Sequence, residues 1–304
     1  MLAETQEGHM SDVDRGPLVV VDDPADPRLA DYRDLNDAAL RRRHGTDDVV
    51  VVEGRVAVGQ LLATPSEVCS LLVDDHQVTA AATLVAGVRA RGAPVYVASR
   101  PVVAATVGFA LHRGVVAIAR RPPAADLRGV LAVARRHRSL GGGPPVVAVC
   151  EDVNDHENLG ALFRNAAAFG VGAVLLSPTC ADPFYRRAVR VSVGHVLRVP
   201  SARVAPWPDG LDTVRAAGFV LAALAPARSA ASVGRRSIGP GQLRARLASA
   251  DAAVAVLLGA EGPGLSPEVL AVADEVVSVP TAAEVDSLNV ATAAAVVFHR
   301  LADR

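Results

Sequence analysis

Three segments of this 304-residue sequence carry residue types that chemistry could use. In EDVNDHENLGALFRNAAAFG, residues 151–170, Asn154 and Asn158 precede a helical pattern that displays Arg164 and Asn165. Arg164 interrupts an apolar series, Leu159, Leu162, Phe163, Ala166 and Phe169, and a guanidinium on such a face is costly unless it meets an anion or a partner. The plainer reading is a surface arginine turned away from that face, with Asn158 as a simple N-cap. In LLGAEGPGLS, residues 257–266, Gly259, Gly262 and Gly264 with Pro263 form a sharply reversing loop that another group can approach closely, and Glu261 is its only acid. The G-x-x-G-x-G order is not the dinucleotide fingerprint, and alone it reads more simply as a turn. In SVPTAAEVDSLNVATAAAVVFHR, residues 278–300, Pro280 ends a strand pattern and Ser287 is a competent N-cap for a helix of small residues. Asn289 is harder to dismiss, because Asn is a poor helix former and here adjoins a close-packed apolar helix.

Composition limits what these residues can belong to. With 51% hydrophobic and 21% charged residues and a net charge of -1, the chain has material for one large or two ordinary domains. That excludes a disordered chain, a disulfide miniprotein and a uniformly basic nucleic-acid binder. All 31 basic residues are Arg, so no Schiff-base or P-loop lysine exists, which removes Walker-type NTPases and pyridoxal-phosphate enzymes. The near-neutral total hides an asymmetry. Residues 1–80 carry 7 Arg against 16 acids, residues 81–150 carry 10 Arg against Asp126 alone, and residues 186–246 carry 11 Arg against Asp209 and Asp212. Two Arg-rich regions suit a locally gripped polyanion, and solvated helix faces are the competing account. Cys69, Cys150 and Cys180 are widely spaced, with no CxxC, so a reducing compartment is expected and neither a disulfide framework nor a metal site. The acidic amino terminus lacks a signal-peptide core and no apolar run approaches a membrane span, so the expectation is a soluble, cytoplasmic protein.

The elements that must position the three segments follow from periodicity. Strand-like runs at 49–53, 70–73, 95–99 and 114–120 alternate with helical stretches at 55–63, 77–91 and 101–107. A second alternation places strands at 146–150, 173–177, 195–200, 218–224, 252–259 and 275–280, with helices near 157–169, 184–190 and 287–301. These later strands are continuous apolar runs, as in a mostly parallel sheet buried on both faces. RSLGGGPP, residues 138–145, is the best linker candidate. The predicted plan is an acidic flexible tail over 1–24, a smaller α/β domain over 25–137, the linker, and a larger α/β domain over 146–304. Sites in such sheets gather at the carboxyl ends of strands, where the three segments lie.

Taken in order, the segments resemble the SpoU, or TrmH-like, branch of the SPOUT RNA methyltransferases. NLGALFRNAAAFG resembles that family's first motif, LLGAEGPGLS its second, VPTAAEVDSLNVATAAAVV its third, and RRAVRVSVGHVLRVP its middle segment. The resemblance covers 146–304. It implies a trefoil-knotted α/β domain that binds S-adenosyl-L-methionine, usually as a homodimer, with Leu258, Gly259, Gly262, Val279, Leu288 and Val290 around the cofactor. It maps the catalytic arginine onto Arg164, accompanied by Asn158, Glu261, Ser287 and Asn289. Thr281-Ala282-Ala283 departs from the family's more usual Met and Gly after Pro280.

The implied reaction is methylation of a ribose 2′-hydroxyl in RNA, with rRNA favoured over tRNA. A noncatalytic RNA-binding or ribosome-assembly protein is the alternative. An arginine is a poor base, so Arg164 is expected to bind a phosphate and stabilise the developing alkoxide. His156 and His195 are the imidazoles near these segments, and a solvated or structural role is favoured over a base for either. PRLADYRDLND and the Glu53-Gly54 turn resemble the start of an L30e-like RNA-binding domain, whose Arg-rich stretch from Arg89 to Arg138 would contact phosphates.

Overall fold

The computed structural model describes residues 16–33, 35, 49–109, 111, 114–282 and 287–302. The chain forms two units, Met1–Pro122 and Pro123–Arg304.

The first unit contains β1 (Leu18–Val21), β2 (Val49–Glu53), α1 (Arg55–Leu62), β3 (Val68–Asp74), α2 (Ala82–Arg89), β4 (Val95–Ala98), α3 (Arg100–Val107) and β5 (Val115–Arg120). Its mixed sheet has the order β1-β4-β3-β5-β2. β1 pairs parallel with β4, so residues 18–21 of the expected tail over 1–24 belong to the sheet, and residues 1–15 of that tail lie outside the described residues. The signal for this strand, LVVV, is too short to stand out beside acidic residues. Gly54, at φ 94°, turns the chain from β2 into α1 and donates its N–H to the Val115 carbonyl at 2.8 Å. Buried Tyr32 shares a 2.6 Å hydrogen bond with the Ser70 hydroxyl inside this unit.

The second unit contains α4 (Leu127–Arg136), β6 (Val146–Cys150), α5 (His156–Phe169), β7 (Ala173–Leu176), α6 (Arg186–Val191), β8 (Ser201–Arg203), α7 (Leu211–Ala216), β9 (Phe219–Leu224), α8 (Ala227–Ser232), α9 (Pro240–Ala250), β10 (Ala253–Leu258), α10 (Pro267–Val272), β11 (Glu275–Val277) and α11 (Val290–Leu301). All pairings of its six-stranded sheet, ordered β11-β9-β10-β6-β7-β8, are parallel. Every residue of β6, β7 and β10 is buried, which is why these runs are continuously apolar. Register sets Val277, Leu224, Leu258, Cys150 and Leu176 abreast across five strands. The loops that follow them therefore emerge along one edge.

The predicted boundary at 138–145 is displaced. Val130, Leu131 and Ala134 of α4 lie in the core of the second unit, and Ala134 touches the space a side chain on Gly172 would need. The 138–145 segment is an internal turn, in which Ser139 donates its N–H to the Pro144 carbonyl. The expected strand at 195–200 is also corrected. His195–Leu197 is a short 3-10 turn entered through Gly194 at φ 83°, and the strand is Ser201–Arg203. Pro200 has no N–H to donate to a ladder, but its carbonyl accepts from the Val174 N–H at 2.9 Å, and the register with β7 starts at Ser201.

Candidate functional site

The loops after β9, β10 and β11, with the start of α11, enclose a cleft of about 590 Å³. Leu258, Gly259, Gly262, Val279, Leu288 and Val290 all line it, together with Glu261 and Ser287. That volume falls within the range usual for small-molecule sites. Gly262 and Gly264 take φ of +87° and +75° with open space where side chains would stand. A Cβ on Gly259 would overlap the backbone of Gly264 and Leu265, so this position needs glycine for the loop to close on itself. Leu288 is among the large apolar side chains left exposed, and it does so beside the cleft. An open concave wall of backbone and aliphatic surface fits a flat, partly apolar ligand with polar edges, such as an adenosine moiety.

A second, adjoining cleft of about 600 Å³ shares Ala260, Glu261, Pro263, Gly264 and Val290 with the first and is lined further by Asp155 and Asn158. Asn289 links the elements around it. Its Nδ2 donates to Asn158 Oδ1 at 2.7 Å and to Glu261 Oε1 at 2.9 Å. Its Oδ1 accepts from the N–H groups of Ala291 and Thr292 at 3.0 and 3.2 Å. Asn289 is thus the N-cap of α11, and the expectation that Ser287 caps this helix is corrected. Likewise Asn158 is not a cap: Asp155 caps α5, accepting from the Asn158 N–H at 2.8 Å. The side-chain amide of Asn158 is thereby left for Asn289.

α5 and α11 are fastened along their length. Besides the Asn158–Asn289 contact, Asn165 Nδ2 donates to the Ala291 carbonyl at 2.8 Å, and the rings of Phe169 and His299 meet edge-to-face at 5.8 Å. On its other side α5 crosses α6 closely, because a Cβ at Gly160 would come within 2.7 Å of the Ala188 carbonyl oxygen.

Arg164 lies apart from this group. Leu159, Leu162, Phe163 and Ala166 are buried, whereas Arg164 is exposed, so it does not sit on the apolar face as its neighbours in sequence suggested. It lines neither cleft and makes no hydrogen bond or ion pair with any described residue. Its charge is felt by His195, whose pKa is pushed below 6.5 first by burial, then by Arg198 and Arg164. His156 stacks against Tyr185, ring centroids 4.2 Å apart.

Two features escaped the sequence reading. Glu151, directly after β6 and 5% exposed, accepts from Trp207 Nε1 at 2.9 Å, from Ser266 Oγ at 2.7 Å and from the Ser266 N–H at 2.8 Å. This buried carboxylate ties three loops beneath the second cleft. The segment after β9, Leu224 to Ser229, forms one wall of the first cleft. Its place at the carboxyl end of a parallel strand was the available signal. Among the described residues, no group of three or more His, Cys, Asp or Glu is arranged to hold a metal ion, and no helix is long and apolar enough to cross a membrane. All three cysteines are free.

The second unit is therefore a parallel α/β domain with a cofactor-sized cleft at the carboxyl edge of its sheet. A family model described as the SpoU rRNA Methylase family matches residues 145–299. An uncharacterized tRNA/rRNA methyltransferase of Mycobacterium bovis is 47% identical over 205 residues, 67% of this chain and 67% of that protein. The AdoMet-bound rRNA methyltransferase from Sinorhizobium meliloti superposes with a TM-score of 0.72 at 25% identity, covering 94% of this chain and 98% of that one. The SpoU methyltransferase AviRb from Streptomyces viridochromogenes, in complex with AdoMet, gives a TM-score of 0.68 at 23% identity, covering 90% and 97%. The chain belongs to the SpoU rRNA methylase family, a family of S-adenosylmethionine-dependent RNA methyltransferases.

Proposed function

We propose that this protein methylates a ribose 2′-hydroxyl of RNA, rRNA in preference to tRNA, at the edge shared by the two clefts. The observation that carries this reading is the hydrogen-bonded set Asn158, Asn289 and Glu261, in which Glu261 lines both clefts and Asn158 the second. When bound, S-adenosylmethionine supplies an electrophilic methyl group on a sulfonium sulfur. Leu258, Gly259, Gly262, Val279, Leu288 and Val290 hold its adenosine and methionine parts, largely through backbone groups. Asn289 fixes the amide of Asn158 and the carboxylate of Glu261, so the polar wall facing the ribose is ordered before RNA arrives, which lowers the cost of alignment.

Arg164 binds the phosphate next to the target nucleotide and stabilises negative charge on the 2′-oxygen as its proton passes to solvent water and the thioether departs from the transferred methyl group. Arg164 lines neither cleft of its own chain. The site is accordingly completed by a second copy, in a homodimer formed through the second unit. The first unit acts as an L30e-like RNA-binding domain, and the protein works in the cytoplasm.

The test is methyl transfer from labelled S-adenosylmethionine to rRNA and tRNA by purified wild-type protein and Arg164→Ala. Label on rRNA that depends on Arg164 supports the reading. RNA binding with no methylation of any transcript would instead mark a noncatalytic RNA-binding protein.

A further inference from the structure

The opposite edge of the same sheet carries a second feature. Between α4 and α7 runs a groove of about 610 Å³, lined by Arg128, Arg135 and Arg136 on one side and by Asp212 and Thr213 on the other. Arg128, Ala132, Arg135 and Arg136 share one stripe of α4 by their spacing of four, three and one, while Leu131 is buried at its base. Arg135 lies across Gly218, where an added Cβ would meet its Nε at 3.3 Å. Gly218 directly precedes β9, and Gly172, against Ala134 of α4, directly precedes β7. The groove thus reaches the amino end of β9, the strand whose carboxyl end helps to form the cofactor cleft. A six-residue strand such as β9 separates the two edges by about 20 Å.

Charge in this groove is unbalanced. Arg128, Arg135 and Arg136 make no hydrogen bond or ion pair with any described residue. The one carboxylate in the wall, Asp212, is taken by Arg215 at 3.0 Å, and Arg215 also reaches Asp274 at 3.2 Å. Arg128 and Arg136 stand two helical turns apart, about 12 Å along the axis, so they cannot close on one small anion. They suit a ligand whose negative charges repeat along a backbone. The alanines between them, Ala132, Ala216 and Ala217, leave room for sugars.

We propose that this groove binds the RNA phosphodiester backbone at a point remote from the methylated nucleotide, so that the methyltransferase unit itself grips the substrate at both edges of its sheet. This deepens the proposed function and rests on its RNA substrate. It also reassigns the end of the Arg-rich stretch: Arg128, Arg135 and Arg136 belong to the second unit and not to the expected RNA-binding domain.

The experiment measures binding of the full-length protein to fluorescein-labelled poly(U) across a KCl series, with S-adenosylmethionine binding followed by calorimetry. Replacing Arg128, Arg135 and Arg136 together by Ala should reduce the slope of log K against log salt by about 2, three single-strand phosphate contacts, and leave S-adenosylmethionine binding unchanged. Ala132→Glu, an exposed helix position with ordinary helix propensity, should weaken poly(U) binding severalfold at low salt and not at high salt, and it serves if the triple variant folds poorly. Wild-type slope and affinity in the variants would overturn the proposal. So would tighter RNA binding by the triple variant, the result expected if the groove holds an acidic segment of this chain. A wild-type protein that binds no RNA overturns both this inference and the proposed function. Failure to bind S-adenosylmethionine, with the slope change intact, overturns only the proposed function.

Discussion

Asn289 and Asn158, 131 positions apart, meet through a 2.7 Å side-chain hydrogen bond while the carbonyl oxygen of the Asn289 amide caps α11. One side chain thus serves two ends: its acceptor completes a helix and its donors order Asn158 and Glu261. The two tasks can be separated by substitution.

Asn289→Ala should lose the cap, about 1 kcal/mol of stability, together with methyl transfer. Asn289→Ser retains a capping oxygen but cannot donate to both Asn158 and Glu261. Thermal melts and methylation assays on both variants should show stability restored in the Ser variant and activity still lost. Recovery of activity along with stability would reduce Asn289 to a cap.

Arg164→Ala should melt within about 0.5 kcal/mol of wild type, because the side chain is exposed and makes no hydrogen bond or ion pair with the described residues. Calorimetric binding of S-adenosylmethionine should persist while methyl transfer falls by at least about a hundredfold. Arg164→Lys should not rescue it, since an ammonium cannot reproduce the planar fork on a phosphate.

In the glycine loop, position decides severity. Gly259→Ala forces the Gly264–Leu265 backbone apart and should abolish cofactor binding. Gly262→Ala meets open space and only the strain of a left-handed conformation, about 1–2 kcal/mol, so it should weaken binding without unfolding the loop. Equal losses in titrations of the two variants would contradict this geometry.

His195 gives a pH signature. Its folded pKa lies below 6.5, through burial and then Arg198 and Arg164, so around and just below pH 6.5 the unfolded chain binds a proton that the folded chain does not. Stability should therefore fall as pH drops through that window. His195→Gln should flatten this part of the profile in urea midpoints measured between about pH 7.5 and 5.5. An unchanged profile would show that His195 does not contribute.

Much of the second unit could be read from the chain because its strands are buried on both faces, which writes them as unbroken Val, Ala and Leu runs such as 253–258. The three loops at the strand ends were equally legible, since glycines, a lone acid and misplaced asparagines stand out against that background. Capping was not. Ser287 and Asn289 are both competent caps, and only the tertiary contact with Asn158 and Glu261 selects Asn289. The domain boundary was hidden for a similar reason: the glycines at 141–143 look like a linker, but the apolar stripe of α4 before them completes the second core. Arg164 misled in a third way. Its sequence neighbours are core residues, yet helical spacing turns it outward. Glu151 carries no pattern at all, because its three donors come from 56 and 115 positions away.

Ribose methylation is tested most directly by nucleoside analysis, by mass spectrometry, of RNA methylated by the purified protein with S-adenosylmethionine. One 2′-O-methylated nucleoside is expected in rRNA, absent with Arg164→Ala. Methyl groups found only on bases, or an Arg164→Ala protein as active as wild type, would contradict this expectation.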